Sequence, residues 1–223
     1  MRDSILRYFL LIVPLLFIAI LVWLLPYLVE LFPILLGYTD IIVSFFLLEL
    51  PMIIGFIISF MMLDEKDERV FTTLRVMPIS LFQFLFYRLF FSVFFTFIFC
   101  FLMLFLNNIY DLSLISMLYT SFLFAIITPI VVLLEVTFAE NKVTGFTLFK
   151  GINFVFIIPV VGFFIQSDWK MLIGLIPTYW PMNFSYLILN NMLDIKVSLI
   201  SLLYTLGVIF LLSILFKKRV YNV

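Results

Sequence analysis

The chain has 223 residues, of which 66% are hydrophobic, 20% aromatic and only 12% charged, and 13 Lys and Arg balance 13 Asp and Glu. Soluble domains carry about a quarter charged residues, and a domain of this length has no core large enough to hide so much apolar surface. The composition therefore excludes an ordinary globular domain, a disordered chain and a basic nucleic-acid binder, and leaves an integral membrane protein.

Absent residue types narrow the chemistry. The chain has no His, which removes imidazole-based catalysis and His-ligated metal sites. Its lone Cys100 lies in an apolar run and reads as a small packing residue, since no disulfide can form within the chain. None of the seven glycines belongs to a phosphate-binding loop. The chain is thus expected to bind no nucleotide, cofactor or metal and to be no enzyme; no Ser/Lys, paired-Asp or His constellation stands out.

In chain order, the first apolar run is Tyr8–Val29, with no charge. No small-x-small cleavage site follows at Leu25–Leu28, so it is expected to be a retained helix rather than a signal peptide. Ile41–Leu63 carries one charge, Glu49. Leu89–Tyr110, Leu112–Leu134, Gly151–Ser167 and Val197–Phe216 are uncharged. A helix needs about 20 apolar residues to cross hydrocarbon. The expectation is an all-α membrane domain over the whole of residues 1–223, with six spans at about 8–29, 41–63, 82–106, 113–136, 146–166 and 197–216. The further apolar stretch Met171–Leu193 contains Pro177, Pro181 and three Asn, and reads as a re-entrant or interfacial hairpin between spans five and six.

With six spans, eleven basic residues fall on the side of both termini (Arg2, Arg7, Lys66, Arg69, Arg75, Arg88, Lys142, Lys150, Lys217, Lys218, Arg219) and two on the other (Lys170, Lys196). This bias makes both termini cytoplasmic and supports the count of six. Trp23, Trp169 and Trp180 then fall near the outer face as belt residues, and Lys217–Arg219 read as a stop-transfer anchor.

The densest charged run follows span two. In Asp64–Ser80, Val70, Phe71, Leu74 and Met77 share one helical face, while Glu65, Glu68, Thr72 and Arg75 face away. The acids suit the first turn of a short amphipathic helix, and Pro78 ends it. Physical reasoning leaves two readings: a solvated loop with an interfacial helix, or an element presented to a cytoplasmic partner.

Within span two, Glu49 precedes Pro51, a potential kink. A carboxyl there costs about 2–3 kcal/mol to insert and should meet a partner or a wet cavity. It is either a structural carboxyl or a group on a substrate path or dimer interface. Glu135, at the inner end of span four, reads as a boundary residue pairing with Lys142 or Lys150, or as a second group on that path. The Phe-rich stretch Phe90–Phe101 reads as packing or lipid-facing surface.

Three segments together resemble the permeases of ABC transporters of the ABC-2 export type. After span two that family carries a pattern close to E-K-[DE]-x-G-x-L-x-x-L-x-V-[ST]-P-[LI]-S. Here Glu65, Lys66 and Asp67 match its start, and Leu74, Val76, Pro78, Ile79 and Ser80 its end; Arg69, Phe71 and Met77 replace the usual Gly, Leu and Ser or Thr. Phe138–Phe146 leading to Lys150 resembles the turn before the family's fifth span, and Leu175–Pro181 its P-x-Y-W segment. The resemblance covers essentially the whole chain.

It implies a permease subunit of an exporter in the bacterial cytoplasmic membrane, paired with a second copy or a homologous permease and driven by a separate ATPase dimer that holds the ATP and Mg. It implies that Glu65–Met77 is the coupling helix, with Phe71 and Leu74 as apolar anchors, Glu65, Lys66, Glu68 and Arg75 facing the ATPase, and Asp67, Arg69 and Val70 between them. Pro177, Tyr179, Trp180 and Pro181 would belong to an outer gate. The nearly uncharged interior suits a hydrophobic or amphipathic substrate (a drug, lipid or amphipathic peptide), with membrane lipids around it and no nucleic acid. The alternatives are a non-catalytic assembly subunit, against which the coupling pattern counts, and a secondary transporter, which would carry more intramembrane charge or inverted repeats.

Overall fold

The computed structural model describes residues 2–68, 70, 81–165 and 170–221. Among these residues the only regular structure is helix. The elements are α1 (Arg2–Ala19) and α2 (Leu25–Leu31), joined in line by a π turn; α3 (Thr39–Asp67); α4 (Leu81–Phe105); α5 (Leu114–Ala125) and α6 (Thr128–Phe138); α7 (Lys142–Val161); the short α8 (Lys170–Ile173) and α9 (Tyr179–Leu189); and α10 (Ile195–Phe216). Among the described residues six stretches are long and apolar enough to cross a membrane: Tyr8–Leu31, Pro33–Asp67, Gln83–Phe105, Leu114–Phe138, Lys142–Val161 and Ile195–Val220. The expected six-span, all-α architecture is the observed one.

Two details depart from the sequence reading. The fourth span is not one helix. Pro129 in the first turn of α6 has no N–H to give and its ring excludes the preceding turn, so the helix stops at Ala125 and restarts at Thr128. Pro181 does not break the chain, because it falls in the first turn of α9, where an N–H has no intrahelical acceptor. At 11 residues α9 is about 16 Å long, too short to cross. It buries Met182, Phe184, Ser185, Ile188 and Leu189 and packs on α3, α5, α7 and α10.

The centre of the bundle is α3 with α5–α6. About two thirds or more of each is buried, against a third or less of the other four spans. Lipid tails are as apolar as Leu, so the hydrophobic effect does not bring helices together within the membrane; close backbone approach and hydrogen bonds between spans do. Gly55 supplies the first. A Cβ built there would lie 2.8 Å from Val131 Cβ and 3.4 Å from the Thr128 carbonyl oxygen, so α3 and α6 meet closely at a point where α3 has no side chain. Hydroxyls supply the second, with Ser44 donating to Ser185 at 3.0 Å and Thr96 bonded to Thr128 at 2.8 Å.

The loops sort into two ends. One collects Thr39, Asp40, Tyr110, Asn190 and Ser198: Thr39 meets the Tyr110 hydroxyl at 2.7 Å, Asn190 donates to Asp40 at 3.0 Å and Tyr119 meets Ser198 at 2.7 Å. The other, the charged end, collects Asp64–Lys66, Arg88, the α6–α7 turn and Arg219, which lies 4.9 Å from the Phe138 ring centroid. Gly55→Val is expected to cost about 1–3 kcal/mol by forcing α3 from α6, seen as a lower thermal transition of the purified protein in detergent. Gly37→Ala, with nothing within 4 Å of the added carbon, should leave the transition unchanged.

Candidate functional site

The last turn of α3 brings together the spans around it. Consecutive helix residues point about 100° apart, and Asp64, Glu65 and Lys66 each find a different span. Asp64 pairs with Lys142 at the start of α7. Glu65 pairs with Arg88 of α4. Lys66 Nζ donates to the carbonyl oxygens of Val136 at 3.3 Å and Ala139 at 2.7 Å, where α6 ends. An ammonium is a natural partner for carbonyls that a helix end leaves unpaired.

The turn that receives two of these ties is itself rigid. Asn141 Oδ1 accepts from the N–H groups of Val143 and Thr144, both at 3.0 Å, and Thr144 Oγ1 accepts from the Asn141 N–H at 3.0 Å. This reciprocal cap fixes the start of α7. Lys142 also lies 5.4 Å from the Phe60 ring centroid. A further close approach locks α7 to α3 here, since a Cβ at Gly145 would meet Leu63 Cδ1 at 2.5 Å.

This geometry corrects the expected orientation of the charged run. Asp64–Asp67 are not the first turn of a separate helix but the last turn of α3, and Glu68 caps it, its N–H donating to the Asp64 carbonyl at 2.9 Å. Acids oppose the dipole at a helix C-terminus; the neighbouring Arg88, Lys142 and Lys66 offset them. Glu65 and Lys66, expected to face a partner, are turned into the bundle, while Asp67 and Glu68 are exposed. Val70 packs at the edge of the core. Arg69, Phe71, Leu74 and Arg75 lie outside the described residues.

Glu135 does not pair with Lys142 or Lys150. Lys142 is held by Asp64, and Lys150 Nζ lies 4.5 Å from the Phe146 ring centroid. Four residues beyond Val131, Glu135 shares the face of α6 that meets Gly55 of α3. Its side chain is 0% exposed, and neither carboxyl oxygen has a hydrogen-bond partner among the described residues. Glu49, 8% exposed, lies beside Asn153 of α7. Pro51 sits inside an unbroken α3, and the carbonyl it deprives of a partner, that of Leu47, faces the Cys100 thiol at 3.9 Å.

The segment carrying Pro177, Tyr179, Trp180 and Pro181 is tied down at the opposite end. Thr178 Oγ1 donates to the Phe156 carbonyl of α7 at 2.8 Å, Trp180 Nε1 to the Gly174 carbonyl at 2.9 Å, and the Tyr204 hydroxyl of α10 to the Leu175 carbonyl at 2.6 Å. Burial holds the Tyr179 hydroxyl above its usual range. The sequence reading missed Asn153 and Thr178. Asn153 had a signal, as the one strongly polar residue between Gly151 and Ile165.

A family model described as Fluoroquinolones export permease protein Rv2686c-like matches residues 1–213. The chain belongs to this family of ABC-2 type permeases. Among curated relatives, the Fluoroquinolones export permease proteins Rv2686c and MT2760, from the H37Rv and CDC 1551 strains of Mycobacterium tuberculosis, are each 29% identical over 149 residues. That match covers 66% of this chain and 59% of each relative, so the chain spans under two thirds of their length. No solved structure matches. Family and spans together make this a multi-pass membrane protein, consistent with the bacterial cell membrane.

Two predictions follow from the charged end and from span two. Lys66→Met strands two carbonyls and should cost about 1–3 kcal/mol, read as a lower thermal transition, whereas Glu68→Gln on the exposed face should not shift it. Glu49→Gln keeps a polar group beside Asn153 and should retain the wild-type transition, while Glu49→Leu puts an apolar side chain beside that amide and lowers it.

Proposed function

We propose that this chain is the membrane subunit of an ATP-driven exporter, moving a hydrophobic or amphipathic molecule out of a bacterial cell. The observation that carries the reading is the divergence of Asp64, Glu65 and Lys66 to spans five, three and four. A cytoplasmic segment joined to α3 at this point moves four spans whenever it moves one. Half-buried ion pairs and charge-assisted bonds suit this task better than exposed pairs, which bind weakly and are screened.

In this reading the charged end is cytoplasmic, and residues 67–77 dock on a separate ATPase dimer that carries ATP and Mg. Asp67 and Glu68 stand on the exposed side of the base, with Phe71 and Leu74 as apolar anchors beyond it. The chain itself hydrolyses nothing. A second copy or a homologous permease completes the pathway, and the segment from Pro177 to Pro181 closes its outer end. The relatives are fluoroquinolones export permeases, which favours flat, amphipathic aromatic drugs as the substrate class, in keeping with a nearly uncharged interior.

The decisive experiment is co-expression with the candidate ATPase, followed by co-purification and assay of ATP hydrolysis. Phe71→Asp places a charge in an apolar contact and is expected to lower both association and stimulated hydrolysis by about tenfold or more. Unchanged coupling in that variant would sink the docking assignment.

A further inference from the structure

Near the charged end, spans one, two and three border a groove of about 460 Å³. Its walls include Leu10 of α1, Met61 of α3, and Tyr87, Phe91 and Phe95 of α4, with Arg88 among them. The three aromatic residues are four apart and so share one face of α4. Their ring centroids lie 4.6 Å apart for Tyr87 and Phe91 and 6.2 Å apart for Phe91 and Phe95, which makes a continuous ladder. The volume is that of a small-molecule site. Arg88 bonds Glu65 through one terminal nitrogen, its side chain is 30% exposed, and it lines the groove beside the ladder.

An acyl chain needs only an apolar slot. A ladder of rings next to a guanidinium suits a more specific visitor: a flat ring system that stacks on the aromatic faces and carries a carboxylate for the planar N–H fork of arginine. We propose that this groove binds an amphipathic aromatic carboxylate, its ring on the Tyr87–Phe91–Phe95 ladder and its carboxylate on Arg88. The proposal rests on the export reading and gives its substrate class a site. It also gives the substrate a route to the cytoplasmic segment. The incoming carboxylate competes with Glu65 for Arg88, and Glu65 belongs to the turn of α3 from which that segment departs.

The test is equilibrium binding to the purified chain in phosphatidylcholine nanodiscs without any ATPase, using nalidixic acid and its uncharged methyl ester as probes. The acid should bind about tenfold or more tighter than the ester. Arg88→Gln should erase that preference, Glu65→Gln should strengthen it by freeing the guanidinium, and Phe91→Ala, which leaves the ion pair intact, should weaken acid and ester alike. Thermal transitions of each variant, and of the Glu65→Gln/Arg88→Gln pair that removes both charges together, separate lost binding from lost folding. Equal binding of acid and ester, a preference that survives Arg88→Gln, or no effect of Phe91→Ala overturns the proposal. So does loss of acid binding when phosphatidylglycerol replaces part of the phosphatidylcholine, which assigns Arg88 to a lipid phosphate. Failure of the export reading would look different: intact binding of nalidixic acid, with no ATP-dependent uptake into inverted vesicles holding the chain and its ATPase.

Discussion

Hydrocarbon offers no hydrogen bonds, so a backbone group released by a proline or a helix end must be met from within the chain. Several contacts of the bundle can be traced to that requirement. Pro51 frees the Leu47 carbonyl and Cys100 faces it. The end of α6 leaves carbonyls at Val136 and Ala139, and Lys66 crosses from α3 to take them. Asn141 answers the first N–H groups of α7. In the first two cases a contact needed for solvation also fixes where one span stands against another, so stability and inter-span geometry are the same interactions seen twice.

The charged end shows how this becomes useful. An isolated Asp-Glu-Lys run at a helix C-terminus would be a poor ending, with acids against the dipole. Answered by Lys142, Arg88 and the end of α6, it instead becomes the junction through which α3 holds its neighbours. The same junction borders both the segment expected to meet an ATPase and the aromatic groove at Arg88, so motor and cargo would act on adjacent residues of one turn.

Much of the architecture was legible in the sequence because the bilayer imposes it on composition. Uncharged runs near 20 residues locate the spans, and the skew of Lys and Arg supports their number without reference to any contact. What escaped notice depended on the register between helices far apart in sequence. Nothing local says that Lys66 reaches Ala139, 73 residues on, or that Glu49 meets Asn153. Glu65 and Lys66 looked partner-facing because helical periodicity gives the relative directions of side chains, not which direction is occupied by another span. The break at Pro129 carried a local signal, but a proline in an apolar run is equally compatible with a kinked continuous helix, as Pro51 demonstrates.

Gly55 lies where α3 runs close against α6, and it divides α3 unequally. The arm from Gly55 to Asp67 is about 18 Å and the arm from Gly55 to Thr39 about 24 Å. If the ties from Asp64, Glu65 and Lys66 release, α3 can tilt as a stiff rod about that contact, and a displacement applied at Asp67 then arrives at Thr39 reversed in direction and about a third larger. The missing side chain would then serve as a fulcrum, and a modest push at one face of the membrane would return as a wider movement at the other.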